Sequence, residues 1–238
     1  MAFVRKSNRE GFGSARGLAM AYLVAFVIVT SIQAIDMLMA LDPHWVSSLF
    51  GGHIFSGNIY AGIGLAYLLT AIMQRWLGVG GHLSLEFQMN ARSNMGKMLF
   101  SFSMIWIYMF WSQHLVIWYG NLPSETGYMT LRLTSQPWQT LAYIVLLLNF
   151  ILPFVLLIPR AAKLSQPLLM ALSAGVIAGT WLERFIIAAP QLLPAGAPLF
   201  TIRALLITAG FIAAFLLMVL TSLKRVSILE LNAVRASE

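Results

Sequence analysis

Long apolar runs are the feature that most constrains how this chain can fold. Each run is about 20 residues or slightly longer, which is enough for a helix to cross roughly 30 Å of hydrocarbon. Lipid offers no hydrogen-bond partners to the backbone, so each run is predicted to be a helix. The six predicted spans are Leu18–Leu41, Phe50–Met73, Lys97–Tyr119, Trp138–Ile158, Ser165–Ala188 and Thr201–Leu223.

Composition supports the same class of protein. Of the 238 residues, 59% are hydrophobic and only 10% are charged, and the mean hydropathy is +0.80. A soluble domain needs more charge on its exterior than this. We therefore predict an all-α, polytopic transmembrane bundle of six spans over residues 18–223, between an N-terminal segment 1–17 and a tail 224–238.

The distribution of basic residues predicts the orientation. In the six-span arrangement, 12 of the 15 lysines and arginines fall on one side, and only Arg132, Arg184 and Arg203 fall on the other. The positive-inside rule then places both termini in the cytoplasm. The bases lie in short clusters between spans, which argues against nucleic acid as the partner and for membrane lipid. The predicted location is the bacterial cytoplasmic membrane.

The absence of cysteine restricts the possible cofactors. A chain with no cysteine has no iron–sulfur cluster and no thiolate metal site of its own. Any redox cofactor would need histidine or methionine ligands or would belong to another subunit. We expect no metal bound by this chain.

Polar residues inside the spans converge on one depth. In the predicted topology, four helices bring ionisable or amide groups to a layer near the outer face. Such residues cost about 2.5–3.5 kcal/mol each within a span and usually face protein or water. The candidates for a proton relay or quinone pocket are Asp36, His53, Gln113, His114, Glu183 and Arg184, with Asn58 as a secondary member.

Each member of the layer also has a simpler interpretation. Glu183 and Arg184 could be an interfacial ion pair or two snorkelling side chains. Asp36 could be a buried hydrogen-bond anchor for a neighbouring helix. His53 and His114 satisfy the minimum for bis-histidine haem ligation, but no other feature supports haem.

The hairpin between spans one and two and the third span add secondary candidates. Asp42 begins an Asp-Pro turn, and His44 beside Trp45 is expected at the membrane interface, where aromatic residues are enriched. The aromatic-rich stretch Phe100–Asn121 could form a quinone slot, although such density more often reflects lipid-facing packing.

Three segments resemble the F subunit of bacterial alternative complex III. They are "LDPHWVSSLFGG" (Leu41–Gly52), "MGKMLFSFSMIWIYMFWSQHLVIWYGNLPSET" (Met95–Thr126) and "LNFILPFVLLIPRAAK" (Leu148–Lys163). "WLERFIIAAP" (Trp181–Pro190) is similar more loosely. The segments follow the family's order and cover most of the chain.

The resemblance implies a membrane subunit related to those of polysulfide-reductase-type enzymes. The family's complex oxidises quinol and passes electrons to a cytochrome c or a terminal oxidase. Its haems and iron–sulfur clusters belong to partner subunits, a multihaem cytochrome and an iron–sulfur subunit. The sister C subunit is the stronger candidate for binding quinol, and the F subunit is expected to contribute a proton path or structural support.

The chain departs from the family in two respects. It resembles only the C-terminal part of a longer F subunit with more spans. It also has Asn149 where family members often have histidine before the F-x-x-P-F motif.

Three functions remain open from the sequence. The first is an accessory subunit, without catalysis of its own, that relays protons at the outer layer or supports a quinone site there. The second is a structural subunit whose polar layer only locks helices together. The third and weakest is a secondary transporter, which would predict inverted repeats and broken helices near the midplane.

Overall fold

The computed structural model describes residues 2–77, 84–193, 198–199 and 201–225, and every regular element in them is helical. The all-α prediction is therefore confirmed for these residues. The expected tail 224–238 lies outside the described residues beyond Arg225. The helices are α1 (Ala2–Met37), α2 (Phe50–Leu77), α3 (Leu85–Gly120), α4 (Pro123–Leu133), α5 (Trp138–Leu146), α6 (Leu152–Leu157), α7 (Gln166–Leu192) and α8 (Ile202–Arg225).

Five stretches in the described part of the chain are long and apolar enough to cross a membrane. They are Gly17–Leu41, Phe50–Arg75, Trp138–Leu157, Gln166–Leu192 and Ile202–Thr221. Each overlaps one of the predicted spans, and together they have the pattern of a multi-pass membrane protein. The N-terminal segment is helical as well, because α1 runs without a break from Ala2.

The predicted third span lies within α3, which is not among these five stretches. At 1.5 Å per residue, the 36 residues of α3 extend about 54 Å and begin well before the expected start at Lys97. Tryptophan, tyrosine and the Gln113–His114 pair lower the hydropathy of its second half. A sixth span, and the cytoplasmic placement of both termini that depends on it, therefore remain predictions.

The chain divides into two compact units, Met1–Leu192 and Leu193–Glu238. In the first unit, α2 packs against α1, α3 and α7, while α7 also contacts α5 and α3 contacts α6. α2 and α7 are thus at the centre of the helix packing. The largest fully buried apolar side chains of the core between α2, α3, α6 and α7 are Trp106, Tyr60, Leu99, Leu157, Leu169 and Val176.

A π-helical turn, Leu147–Ile151, joins α5 to α6, and the sequence explains part of it. Pro153 has no N–H to donate to the carbonyl of Asn149 four residues earlier. The hydroxyl of Tyr60 on α2 donates to that carbonyl instead, at 3.1 Å. The proline therefore frees a backbone acceptor inside the bundle, and a neighbouring helix satisfies it.

Glycines allow the backbones to approach at two places along α2 and α7. A Cβ on Gly64 would lie 3.3 Å from the carbonyl oxygen of Ser173. A Cβ on Gly179 would lie 3.0 Å from Cβ of Leu148 and would collide with the carboxamide of Asn149. Small residues permit close helix packing of this kind in membrane proteins.

Candidate functional site

Glu183 on α7 is the centre of a buried polar cluster. Its Oε1 lies 2.6 Å from Nε2 of His53 on α2 and accepts a hydrogen bond from Nε1 of Trp106 on α3 at 3.2 Å. Its Oε2 accepts a hydrogen bond from Nη1 of Arg184 at 3.0 Å. His53 and Glu183 are only 4% and 6% exposed, so this is a fully partnered carboxylate in a low-dielectric interior.

Arg184 connects the cluster to the backbone of α2. Its Nη2 donates to the carbonyl of Ile54 at 3.1 Å and to Oδ1 of Asn58 at 3.4 Å. A Cβ on Gly57 would lie only 2.8 Å from the same nitrogen, so the glycine leaves room for the guanidinium. Glu183 and Arg184 are therefore an ion pair inside the bundle that also joins α7 to α2.

His114 lies on α3 near the cluster, and a backbone contact determines the tautomer of its neutral ring. Its Nδ1 is 2.7 Å from the carbonyl of Phe110. A carbonyl can only accept, so Nδ1 carries a hydrogen and the neutral ring has its basic lone pair on Nε2. The rings of Phe110 and His114 are 4.1 Å apart, and the ring of Phe110 is 6.3 Å from that of His53.

The short helix α4 contributes a residue that the sequence analysis did not select. Arg132 is 5% exposed, and its guanidinium stacks 3.6 Å above the ring of Tyr128. Its Nη1 donates to the carbonyl of Tyr128 at 3.1 Å and its Nη2 to the carbonyl of Ile187 at 2.8 Å. Trp45 stacks on Tyr128 at 3.8 Å between ring centroids, with the planes 4° apart.

Burial shifts the pKa of both Tyr128 and Arg132 on α4, which lies outside the apolar spans. It raises the pKa of Tyr128 to about 12, against a smaller opposing effect of Arg132. Burial also lowers the pKa of the Arg132 guanidinium, but from so high a value that it stays charged at neutral pH. Tyr128 is thus a neutral stacking surface for a permanent cation.

A cavity of about 60 Å³ lies among these groups. Its wall combines ionisable residues with apolar ones from α2, α3, α4, α5 and α7. The lining residues that carry polar chemistry are His53, Gln113, His114, Tyr128, Arg132 and Glu183. We call this end of the first unit the His53 end.

The predicted candidates are only partly brought together. The structure places His53, Asn58, Gln113, His114, Glu183 and Arg184 at the His53 end, as expected. It does not bring the side chain of Asp36 into the cluster. Asp36 is exposed on α1 and, among the described residues, has no ion pair or hydrogen bond. The interpretation of Asp36 as a buried anchor is therefore wrong, because its side chain lies on a face of α1 that nothing in the first unit covers.

Two further candidates lie in the hairpin outside the cluster. Oδ2 of Asp42 accepts a hydrogen bond from Nε2 of Gln191 at 2.8 Å, which holds the turn against the end of α7. His44 is exposed, whereas Trp45 beside it is buried against Tyr128 and Phe50.

Asn149 lies deeper in the bundle, apart from the cluster. It is 0% exposed, and neither atom of its carboxamide has a hydrogen-bond partner among the described residues. The hydroxyls of Tyr67, Ser173 and Thr180 are buried in the same condition. Buried polar atoms of this kind are usually satisfied by ordered water.

The two histidines do not form an obvious metal pair. Nε2 of His53 is 2.6 Å from Glu183, and Nδ1 of His114 is 2.7 Å from a backbone carbonyl. In the part of the chain that the structure describes, no group of three histidines or carboxylates is arranged to hold a metal ion.

The comparisons with known proteins do not identify the chain. No protein-family model matches it, and no curated protein matches its sequence.

Proposed function

We propose that this chain is an accessory membrane subunit of a quinol-oxidising respiratory complex similar to alternative complex III, and that the His53 end conducts protons there. The single observation that supports this most strongly is the contact between His53 and Glu183. An imidazole and a carboxylate 2.6 Å apart can share and exchange a proton, and both are buried where an idle ionisable pair is costly.

The chemistry assigns a role to each group. Quinol loses two protons and two electrons when it is oxidised, and the electrons leave through the cofactors of partner subunits. His114 can take a proton at Nε2, and His53 can take one at Nδ1, which has no partner among the described residues. Glu183 stabilises the imidazolium that results, while Arg184 and Trp106 hold the carboxylate in position by hydrogen bonds.

The size of the cavity favours protons over a quinone ring. An apolar cavity that admits benzene has a volume of about 150 Å³, whereas a water molecule occupies about 30 Å³ of liquid. The cavity of about 60 Å³ suits water better than an aromatic head group. Gln113 and Arg132 in its wall can orient such water, so we assign quinol binding to a partner subunit.

A structural role is the second candidate function. It is favoured by the fact that the hydrogen bonds of Glu183 and Arg184 are all made within the bundle. Glu183 has three hydrogen-bonding contacts, and Arg184 joins α7 to α2. Such a cluster can lock helices together without moving protons. In that case, substitutions would weaken assembly and leave the turnover of each assembled complex unchanged.

One experiment separates these functions. The tagged chain is purified with its partners from native membranes, and subunits, haem, quinol oxidation and proton release are measured in the same samples. We expect Glu183→Gln and His53→Gln to assemble and to slow proton-coupled quinol oxidation at least about tenfold, as general acid–base groups do when removed. Asp36→Asn is the matched control because this carboxylate is exposed outside the cluster.

Each alternative result has a definite meaning. Assembled variants with unchanged oxidation and proton release would contradict the relay. Loss of partner subunits in both cluster variants would favour the structural role. Purification without any haem- or iron–sulfur-containing partner would contradict membership of such a complex.

A further inference from the structure

The opposite end of the first unit holds a second, larger cavity of about 240 Å³. It lies where α2 ends and where α3 and α7 begin. Its lining residues are Gln74, Arg75, Gln88, Arg92 and Gln166. All five are polar, and we call this end of the unit the Arg92 end.

The charge of this cavity is one-sided. Two guanidinium groups line it together with three carboxamides, and no carboxylate is among the lining residues that the structure describes. Like charges that share a site repel each other unless an anion lies between them. The wall therefore presents an unbalanced positive potential to whatever occupies the cavity.

Arg92 is held in position within this wall. Its Nη2 donates to Oε1 of Gln166 at 3.0 Å, and both residues are part-buried. Gln166 is the first residue of α7, so the contact joins α3 to α7. A guanidinium fixed in this way presents its remaining N–H groups as a planar fork, which matches the geometry of a phosphate.

The cavity also lies at the right depth for a lipid head group. The apolar stretch of α2 ends at Arg75, and that of α7 begins at Gln166. The ends of apolar spans meet the polar head-group region of a bilayer. Basic pockets between transmembrane helices at this level are a recognised setting for acidic head groups.

We propose that the cavity at the Arg92 end binds the phosphate group of an acidic phospholipid. Arg75 and Arg92 pair with the phosphate oxygens, and the carboxamides of Gln74 and Gln166 hydrogen-bond to hydroxyls of a glycerol head group. A choline head group brings a cation beside two arginines and finds no carboxylate in the wall. The cavity therefore selects an acidic lipid over a zwitterionic one.

The test measures lipid retained by the full chain after detergent extraction. The protein is exchanged into nanodiscs of phosphatidylcholine containing a minor fraction of phosphatidylglycerol, and co-purifying lipid is counted by native mass spectrometry. We expect about one phosphatidylglycerol held against exchange. Arg92→Gln and Arg75→Gln should each weaken that retention about tenfold, because each removes a charge-assisted pair with the phosphate.

Arg160→Gln is the matched control. Arg160 is an exposed arginine in the turn before α7 and does not line the cavity, so retention should be unchanged. Arg75 is itself exposed, so its substitution tests the site even where Arg92→Gln disturbs folding.

Three results would overturn the proposal. One is equal retention of phosphatidylglycerol and phosphatidylcholine. Another is phosphatidylglycerol retention that does not distinguish the two cavity variants from Arg160→Gln, whether all three retain the lipid or all three lose it equally. The third is displacement of the lipid by millimolar inorganic phosphate, because the site would then be one for free phosphate. None of these results depends on the proton relay at the His53 end.

Discussion

The two ends of the first unit differ in how their charged side chains are compensated. At the His53 end, a carboxylate has two nitrogen donors and an arginine within 3.2 Å, and the cavity beside it holds only about 60 Å³. At the Arg92 end, two arginines line a cavity of about 240 Å³, and the described part of its wall contains no carboxylate. The Glu183 carboxylate is balanced within the protein by Arg184, whereas the two arginines at the Arg92 end leave positive charge to be balanced from outside.

The difference follows from burial. A charge removed from water must find a partner within the protein, because the effective penalty is several kcal/mol per ion. Glu183 is 6% exposed and is accordingly saturated with donors. Arg75 is exposed and Arg92 is part-buried, so water and lipid head groups can serve them. Similar residue types are therefore enclosed by protein partners at one end and left open to partners from outside at the other.

The largest expected effect tests this contrast directly. Glu183→Ala should lower the free energy of unfolding by about 3–5 kcal/mol, because it leaves Arg184 uncompensated and Trp106 without an acceptor. Arg92→Ala at the other end should lower it by less than about 1 kcal/mol, because a part-buried contact to a neutral side chain contributes little. Equilibrium unfolding in mixed detergent micelles measures both. Equal losses would show that burial does not distinguish the two ends.

A smaller effect is expected between the ends, where packing rather than charge dominates. Gly179→Ala should lower the free energy of unfolding by about 1–3 kcal/mol, because the added Cβ displaces the buried Asn149 carboxamide. The same assay measures it, with Gly175→Ala one turn earlier as the control. There the added Cβ meets only Leu148 Cδ2 at 3.6 Å, so stability should be unchanged or slightly raised. An unchanged free energy of unfolding in Gly179→Ala would contradict the close contact between α7 and the π-helical turn.

The smallest effect concerns the buried hydroxyls. Thr180→Val removes a hydroxyl that has no partner among the described residues, so stability should be unchanged or up to about 1 kcal/mol higher. Thr30→Val is the comparison. The hydroxyl of Thr30 donates to the carbonyl of Phe26 at 2.6 Å, so its removal should lower the free energy of unfolding. Thermal unfolding of both variants in one detergent checks this. A greater loss of stability in Thr180→Val than in Thr30→Val would contradict this expectation and indicate that ordered water connects Thr180 to Asn149.

Sequence reasoning located most of the cluster but not all of it. Depth along a predicted span correctly grouped His53, Gln113, His114 and Glu183, because residue number along a helix measures depth at 1.5 Å per residue. Arg132 was missed as a site residue because its segment carries no long apolar run and was counted only for topology. The available signal was Tyr128 four residues before Arg132, a spacing that places both on one face of a helix.

Apolar length and backbone chemistry predicted a helical, multi-pass membrane protein, because lipid offers no hydrogen-bond partners to the backbone of a long apolar segment. Six spans were predicted, and five stretches of the described residues are long and apolar enough to cross a membrane. Proline and glycine positions further determined where α5–α6 is interrupted and where α7 can be approached closely. Only the tertiary structure decided which polar residues meet. The depth of a residue in the membrane follows from its number along the helix. Whether its side chain meets another polar group depends on which face of that helix the neighbouring helices cover. Asp36 and His53 were expected at similar depth, yet His53 lies against Glu183 and Asp36 lies on an uncovered face of α1.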